Sequence, residues 1–510
     1  MTYIYQIIPL FILVPLVGVF FLALLARKKN INADIIFFFN IVGLLFLSFC
    51  LFGIKSNSMI YVYCLNGWHL PEAINLIIDG MAAFFLITIC LISFCIMLFS
   101  LRFMEHYTAK WKFYALFLLL LTGVNGVIIA GDLFTMYLFM EVAAISSYAL
   151  VCFSLEDNAL AFGFKYMVKG VMASAIIFLG IAICYCFTST LALADISNQL
   201  FLRQNVDADP AMGFVILFIQ TLLFLGFLIK SGIVPFNSWV TDINKHSLAP
   251  VAAIMGAIII PALGIYPFLR IYFNVISPSD QSMGFVRIIA LISMLGSMLW
   301  AFKAKCNRQI IAYHTISEFA FAILAMAIAT PWAIFGGFLQ LINASLTAAL
   351  LNCNEGLADY MIYPKKNRLF GLCGFKTMPG VFMSNFFSNL ALISMPPFLG
   401  FWSKLIIIVA AWKAGYKVYA MAMIIVICFG VLVFIKKQVS SNANLQKNKY
   451  KLNKIKPSMA MSLLLMIGLC LGLNVLLLSE YENTFIRPAM QTILSTTKYS
   501  KAVFKAEYEK

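Results

Sequence analysis

Six ionisable side chains stand where an apolar sequence should carry none. Glu141 lies in DLFTMYLFMEVAAISSYALV, and Lys165 and Lys169 lie in FGFKYMVKGVMASAII. Lys230 lies in LLFLGFLIKSGIVPF, Glu318 in IIAYHTISEFAFAILAMA and Lys404 in MPPFLGFWSKLIII. A charge at the centre of a bilayer costs about 2.5–3.5 kcal/mol on insertion scales, so such residues mark ion or proton paths. Burial lowers a lysine's affinity for its proton and a nearby carboxylate raises it. Moving Glu141 relative to Lys230 would therefore switch the lysine between holding and releasing a proton. Lys165 and Lys169, one turn apart near the end of a run, are long enough to reach headgroups instead. Glu141 is too deep in its run for that. His314 stands one turn before Glu318, and Asp79 and Asp132 sit at the ends of runs.

These residues need elements that span a membrane. The 510-residue chain is 63% apolar and 11% charged, with a mean hydropathy of +0.95. Soluble domains are about 25% charged, so an ordinary soluble enzyme and a disordered chain are both excluded. Fourteen apolar runs lie between residues 5 and 478. Backbone groups in lipid must be satisfied within the segment, and the runs are too long for barrel strands. The expected fold is an all-α polytopic membrane protein of about 14 transmembrane helices. Two runs carry helix breakers: Lys230-Ser-Gly-Ile-Val-Pro235, and Ser394-Met-Pro-Pro-Phe-Leu-Gly400 followed by Lys404. Paired interrupted helices point to inverted repeats around a transport path. The reading is three N-terminal helices (1–110), a first inverted five-helix repeat (111–273) and a second (274–436). A basic loop, the fourteenth helix and a short C-terminal tail (437–510) follow. Both broken helices are then fourth in their repeat, and Glu141 and Glu318 both fall in the second helix.

The net charge of +16 reads as orientation information rather than as a nucleic-acid surface. Arg27, Lys28, Lys29, Lys110, Lys112, Lys303, Lys305, Arg308, Lys365, Lys366 and Lys437 fall on the side of the first loop. Lys55, Arg203, Arg270, Arg287, Lys413 and Lys417 fall on the other. This predicts a cytoplasmic first loop and an outside N-terminus. The basic loops 354–381 and 436–456 are expected to meet lipid headgroups or a docked subunit. The first run, 5–26, reads as a span rather than a cleavable leader. The 12 cysteines are scattered without a CxxC pair, and the 4 histidines lack metal-ligand spacing, so no metal or cofactor is expected.

Over roughly 75–480 the chain resembles the antiporter-like membrane subunits of respiratory complex I (NADH-quinone oxidoreductase), energy-converting membrane-bound hydrogenases and Mrp-type cation/proton antiporters. LIIDGMAAFFL is similar to the family's third span, and AGDLFTMYLFMEVAAISSYALV to its fifth, with Glu141 at the glutamate. FKYMVKGVMASAIIFLGIA resembles the sixth, with Lys165 at the Lys-Tyr lysine. GFLIKSGIVPFNSWVTDINKHSLAPVAAIMGA resembles the seventh and the start of the eighth, with Lys230 central and Asp242 in the loop. RQIIAYHTISEFAF is similar to the tenth span, and SMPPFLGFWSKLII to the broken twelfth, with Lys404 at its lysine.

The resemblance implies proton movement through two linked half-channels. Lys230, biased by Glu141, would load, and Lys404 would release. The implied partners are other membrane subunits, with an iron–sulfur or hydrogenase module or a cation gradient driving the cycle. The expected location is the inner membrane of a bacterial or archaeal cell. Two stretches depart from the pattern. The eighth span, IMGAIIIPALGIY, has Pro261 and no ionisable group where the family has Lys or His. The eleventh, FLQLINASLTAALLN, keeps Asn343 but has Ala344 and Ala348 in place of His and Lys. One expectation is that Glu318, His314 and water substitute for the lost stations. The alternative is a diverged structural subunit that no longer conducts across its width.

Overall fold

The computed structural model describes residues 2–25, 33–51, 60–65, 74–107, 109–206, 210–276, 279–362, 379–443, 455–478, 482–494 and 496–508. Arg27, Lys28, Lys29, Lys55, Lys365 and Lys366 lie outside the described residues, as does most of the two basic loops.

The apolar runs form helices because only a helix satisfies every backbone group within its own segment. Thirteen helices are long and apolar enough to cross a membrane among the described residues. The chain opens with α1 (Leu10–Leu25) and α2 (Ala33–Cys50). A short antiparallel pair, β1 (Tyr61–Cys64) and β2 (Asn75–Ile78), precedes α3 (Gly80–Phe103). The first repeat is α4 (Lys110–Ile129), α5 (Leu133–Val151), α6 (Asp157–Thr188), and α8 (Pro210–Ser231) with α9 (Ser238–His246). A further helix, α7 (Leu193–Val206), sits between α6 and α8. The repeat closes with α10 (Ala249–Val275). The second repeat is α11 (Asp280–Lys303), α12 (Asn307–Ile328), α13 (Pro331–Ile362), the half-helices α14 (Pro379–Leu392) and α15 (Leu399–Lys413), and α16 (Lys417–Ala443). Helix α17 (Pro457–Gly472) is the last span. The halves of the twelfth span are each too short to cross alone, so the thirteen long helices and this broken one make the expected fourteen. Large apolar side chains such as Phe39, Phe46, Phe214 and Val418 face outward, as a lipid-facing surface requires.

The two breaks repeat each other residue for residue. Gly232 and Ser394 both have positive φ, at 66° and 56°. Gly232 N donates to Ile229 O and Ile233 N to Leu228 O; Ser394 N donates to Ala391 O and Met395 N to Leu390 O. This pair of bonds is the Schellman ending, which closes a helix by way of one left-handed residue. Pro235 and Pro397 follow three residues later, each after a cis peptide bond, and a phenylalanine follows each. The match also shows that Lys230 and Lys404 are not equivalent. Lys230 precedes its break by two residues, whereas Lys404 follows its break by ten and corresponds to Asp242.

Asp79 and Asp132 have their explanation here. Each caps the helix that follows, accepting from Ala82 N at 2.9 Å and Thr135 N at 2.6 Å. Asp79 also meets Arg270. The guanidinium donates to both Asp79 oxygens and to the Tyr266 hydroxyl, deep in the fold. The tail folds back over this pair as α18 (Arg487–Leu494) and α19 (Thr496–Tyr508). Tyr499 presents its ring to the Arg270 guanidinium, and Asn274 donates to Thr492 O. Arg270 and Arg287, read from the sequence as loop charges, are therefore buried structural ones. Arg287 is held by Asp280 and the Tyr416 hydroxyl. On the opposite face Arg308 and Lys437 are likewise buried, against Asp359 and Glu355.

Candidate functional site

The long helices bring the expected residues together in two clusters. In the first, α5 supplies Glu141 and the end of α8 supplies Lys230. The Lys230 Nζ lies 3.5 Å from Glu141 Oε1, with the lysine side chain 6% exposed and the glutamate 25%. Ser174 of α6 donates to the same carboxylate oxygen. The Schellman ending places Lys230 here, because it stops α8 two residues past the amine. Trp239 of α9 folds back and donates its Nε1–H to Ile229 O at 3.0 Å, a second bond to the carbonyl that already accepts from Gly232 N.

Helix α6 presents its two lysines differently. Lys169 donates to Ser238 Oγ at 2.5 Å. It lines, with Tyr148, Tyr166, Lys230 and Trp239, a cavity of about 20 Å³. That is room for a single water. The buried Tyr148 hydroxyl has no protein partner among the described residues and borders the same cavity. Lys165 is exposed, and its amine rests over the Phe162 ring, which stacks on His246. Geometry thus puts Lys169, rather than Lys165, within a water's reach of Lys230. Lys169→Ala is expected to slow proton transfer to Lys230 by about tenfold, and Lys165→Ala to leave it within about twofold. Flux measured in the two variants side by side tests this.

The second cluster is drier. Lys404 Nζ lies 2.6 Å from Glu318 Oε1, and His314 Nε2 lies 3.3 Å from the same oxygen. Gln340 of α13 donates to Glu318 Oε2 at 2.5 Å, and Ser403 donates to Gln340 Oε1 at 2.6 Å. Glu318 is 1% exposed and Lys404 is 4%. A buried charge pair is tolerated when further hydrogen bonds satisfy it, and Gln340 and Ser403 supply them. Neither stood out in the sequence.

Between the clusters residues 249–265 carry no ionisable side chain, and the polar Thr315 and Asn352 lie beside Gly256. Helix α10 is entirely buried, and Met255–Ile265 adopts the wide π-helical turn around Pro261, whose nitrogen has no hydrogen to donate. A Cβ built on Gly256 would lie 3.4 Å from the Ala348 Cβ. Small apolar side chains therefore meet where the two halves join.

Residues 130–430 match the family described as NADH:quinone oxidoreductase/Mrp antiporter, TM. The chain belongs to this family. Residues 69–114 also match the N-terminus of chain 5 of NADH-ubiquinone oxidoreductase (complex I). The chain is 28% identical over 424 residues to a Na(+)/H(+) antiporter subunit of Alkalihalophilus pseudofirmus, covering 81% of this chain and 82% of that one. It is 25% identical over 371 residues to a NADH-quinone oxidoreductase subunit of Desulforudis audaxviator, covering 71% and 72%. In structure it resembles a chain of an archaeal membrane-bound sulfane sulfur reductase, with a TM-score of 0.86, 25% identity and 98% and 100% coverage. A chain of the Mrp complex from Dietzia sp. shares the fold, also at 0.86, with 22% identity over 99% and 100% of the two chains. The protein is a multi-pass antiporter-like membrane subunit, and its structural neighbours are parts of multi-subunit membrane complexes.

Proposed function

We propose that this subunit moves protons across the membrane, with Glu141, Lys230, Lys404, Glu318 and His314 as stations and Lys169, in place of the expected Lys165, as the feeder of Lys230. One observation carries the reading. Each half holds a buried lysine within reach of a buried or half-buried carboxylate, in a broken helix. A break at that depth leaves backbone groups that only protein or water can satisfy. Glu141 is partly exposed and shares its oxygen between Ser174 and Lys230. A small shift toward Ser174 would loosen the lysine's hold on its proton. The units are taken as 111–273 and 274–436, in an inner membrane with the N-terminus outside. The driving module is an iron–sulfur or hydrogenase assembly in a redox pump, or a cation gradient in an antiporter, and headgroups cover the basic loops.

The contact between Gly256 and Ala348 favours a second reading, in which the chain is a structural subunit that conducts nothing. Glu318→Gln separates the two. It leaves Lys404 and His314 buried without their carboxylate. Under the first reading flux falls by about tenfold or more; unchanged flux in an assembled complex favours the second. Co-purification from native membranes then names the driving module by the subunits that accompany the chain.

A further inference from the structure

Along α15 beyond Lys404, Ile407, Ala410 and Ala411 are buried apolar side chains. Towards the face of the first loop it is different. Asn343 of α13 is 1% exposed, and neither its amide oxygen nor its nitrogen has a protein partner among the described residues. The Ser394 hydroxyl at the break and the Asn389 amide oxygen on α14 are buried and without partners in the same way. Asn343 and Ser394 converge on one spot. A Cβ at Gly400, one turn before Lys404, would sit 2.6 Å from Ser394 Oγ and 2.7 Å from Asn343 Nδ2. From Asn389 a ladder descends: its Nδ2 donates to Asn385 Oδ1 at 3.1 Å, as does Asn354 Nδ2, and Ser384 donates to Asn354 Oδ1 at 2.8 Å. Helix α14 begins on the first-loop face and α13 ends there, so the ladder leads to that face. Glu355 and Lys437, 3.4 Å apart, stand near its foot.

Buried amides and hydroxyls keep hydrogen-bond partners, and where protein supplies none, water does. We propose that Lys404 and Glu318 exchange protons with the first-loop face through a hydrated seam formed by Asn343, Ser394, Asn389, Asn385, Asn354 and Ser384. A proton leaves bulk water on that face, passes along the bridged waters and ends on the Lys404 amine. Lys404 then takes its proton from that face directly, while the cycle as a whole requires Lys230 in the first half. The inference rests on the reading that Lys404 carries protons.

The test uses the intact complex purified from native membranes and sealed into vesicles. Asn389→Leu keeps the branched shape and removes the polar group, and proton flux should fall at least about tenfold, to the level of Lys404→Ala. Asn389→Ser should restore flux to within about twofold. The double variant Asn389→Leu/Lys404→Ala should be no slower than Lys404→Ala. Normal flux in Asn389→Leu, with Lys404→Ala still blocked, overturns the seam and leaves the role of Lys404 standing. Normal flux in Lys404→Ala overturns both. A map of the wild-type complex that resolves ordered water decides independently, including where Asn389→Leu fails to assemble. Water within hydrogen-bond distance of Asn343, Ser394 and Asn389 is expected, and a dry seam refutes the proposal.

Discussion

A complex carrying Lys230→Ala assembles normally and moves protons at roughly a hundredth of the wild-type rate or less, the scale set by losing a proton-transferring side chain. Assembly survives because the partner left behind is not stranded. Glu141 keeps its bond from Ser174 and is 25% exposed rather than sealed in the core. The informative companion is Lys230→Arg. Arginine keeps the charge and much of the packing but holds its proton at every accessible pH. If Lys230 acts only as a fixed charge beside Glu141, the arginine variant works. If it must take and give a proton, the arginine variant is as inactive as the alanine one. Flux in vesicles, with the amount of assembled complex as control, separates the outcomes. Wild-type flux in the alanine variant ends the role of Lys230.

Arg270→Ala acts on stability instead. It leaves the Asp79 carboxylate in a site that is 1% exposed, without its guanidinium. Removing one member of a buried pair costs about 3–5 kcal/mol, a large share of a typical domain's stability. The variant is expected to accumulate poorly, and what assembles should melt at lower temperature. Replacing both partners should cost far less, since a buried pair exchanged for apolar side chains is often close to neutral. Asp79→Asn/Arg270→Met is the suitable rescue, because asparagine still caps Ala82 N. Thermal melting of the single and double variants measures the difference. A double variant no more stable than Arg270→Ala would show that the arginine matters for more than its charge.

The sequence made Glu141, Lys230, Glu318 and Lys404 legible because a charge inside an apolar run has few inexpensive explanations. The helices were legible for the same reason, since a run of that length in lipid has one satisfied backbone form. Ser174, Gln340 and Ser403 were not legible, because polar residues of their kind occur in spans for many reasons and only their partners mark them. The choice between Lys165 and Lys169 depends on which way α6 is rotated, which two lysines one turn apart do not reveal. Arg270 read as a loop charge because Asp79 is 191 residues away. The second break and its pairing with the first were readable, but their residue-for-residue equivalence was hidden by Ser394 standing in a left-handed position usually given to glycine. That equivalence, once visible, moves Lys404 from the counterpart of Lys230 to the counterpart of Asp242.

The pair at the N-terminal end of α3 also bears on how the chain is made. Asp79 leaves the ribosome 191 residues before Arg270, a delay of roughly 10–40 s at ordinary synthesis rates. Tyr499, which covers the pair, follows Arg270 by a further 229 residues. During that interval α3 is in place with a carboxylate whose permanent counter-ion does not yet exist. The nascent chain must hold Asp79 protonated or turned to the aqueous surface until the eighth span arrives. The first half therefore cannot mature on its own schedule. It waits for α19, and a chain that stops short of that helix leaves this charge pair without its cover.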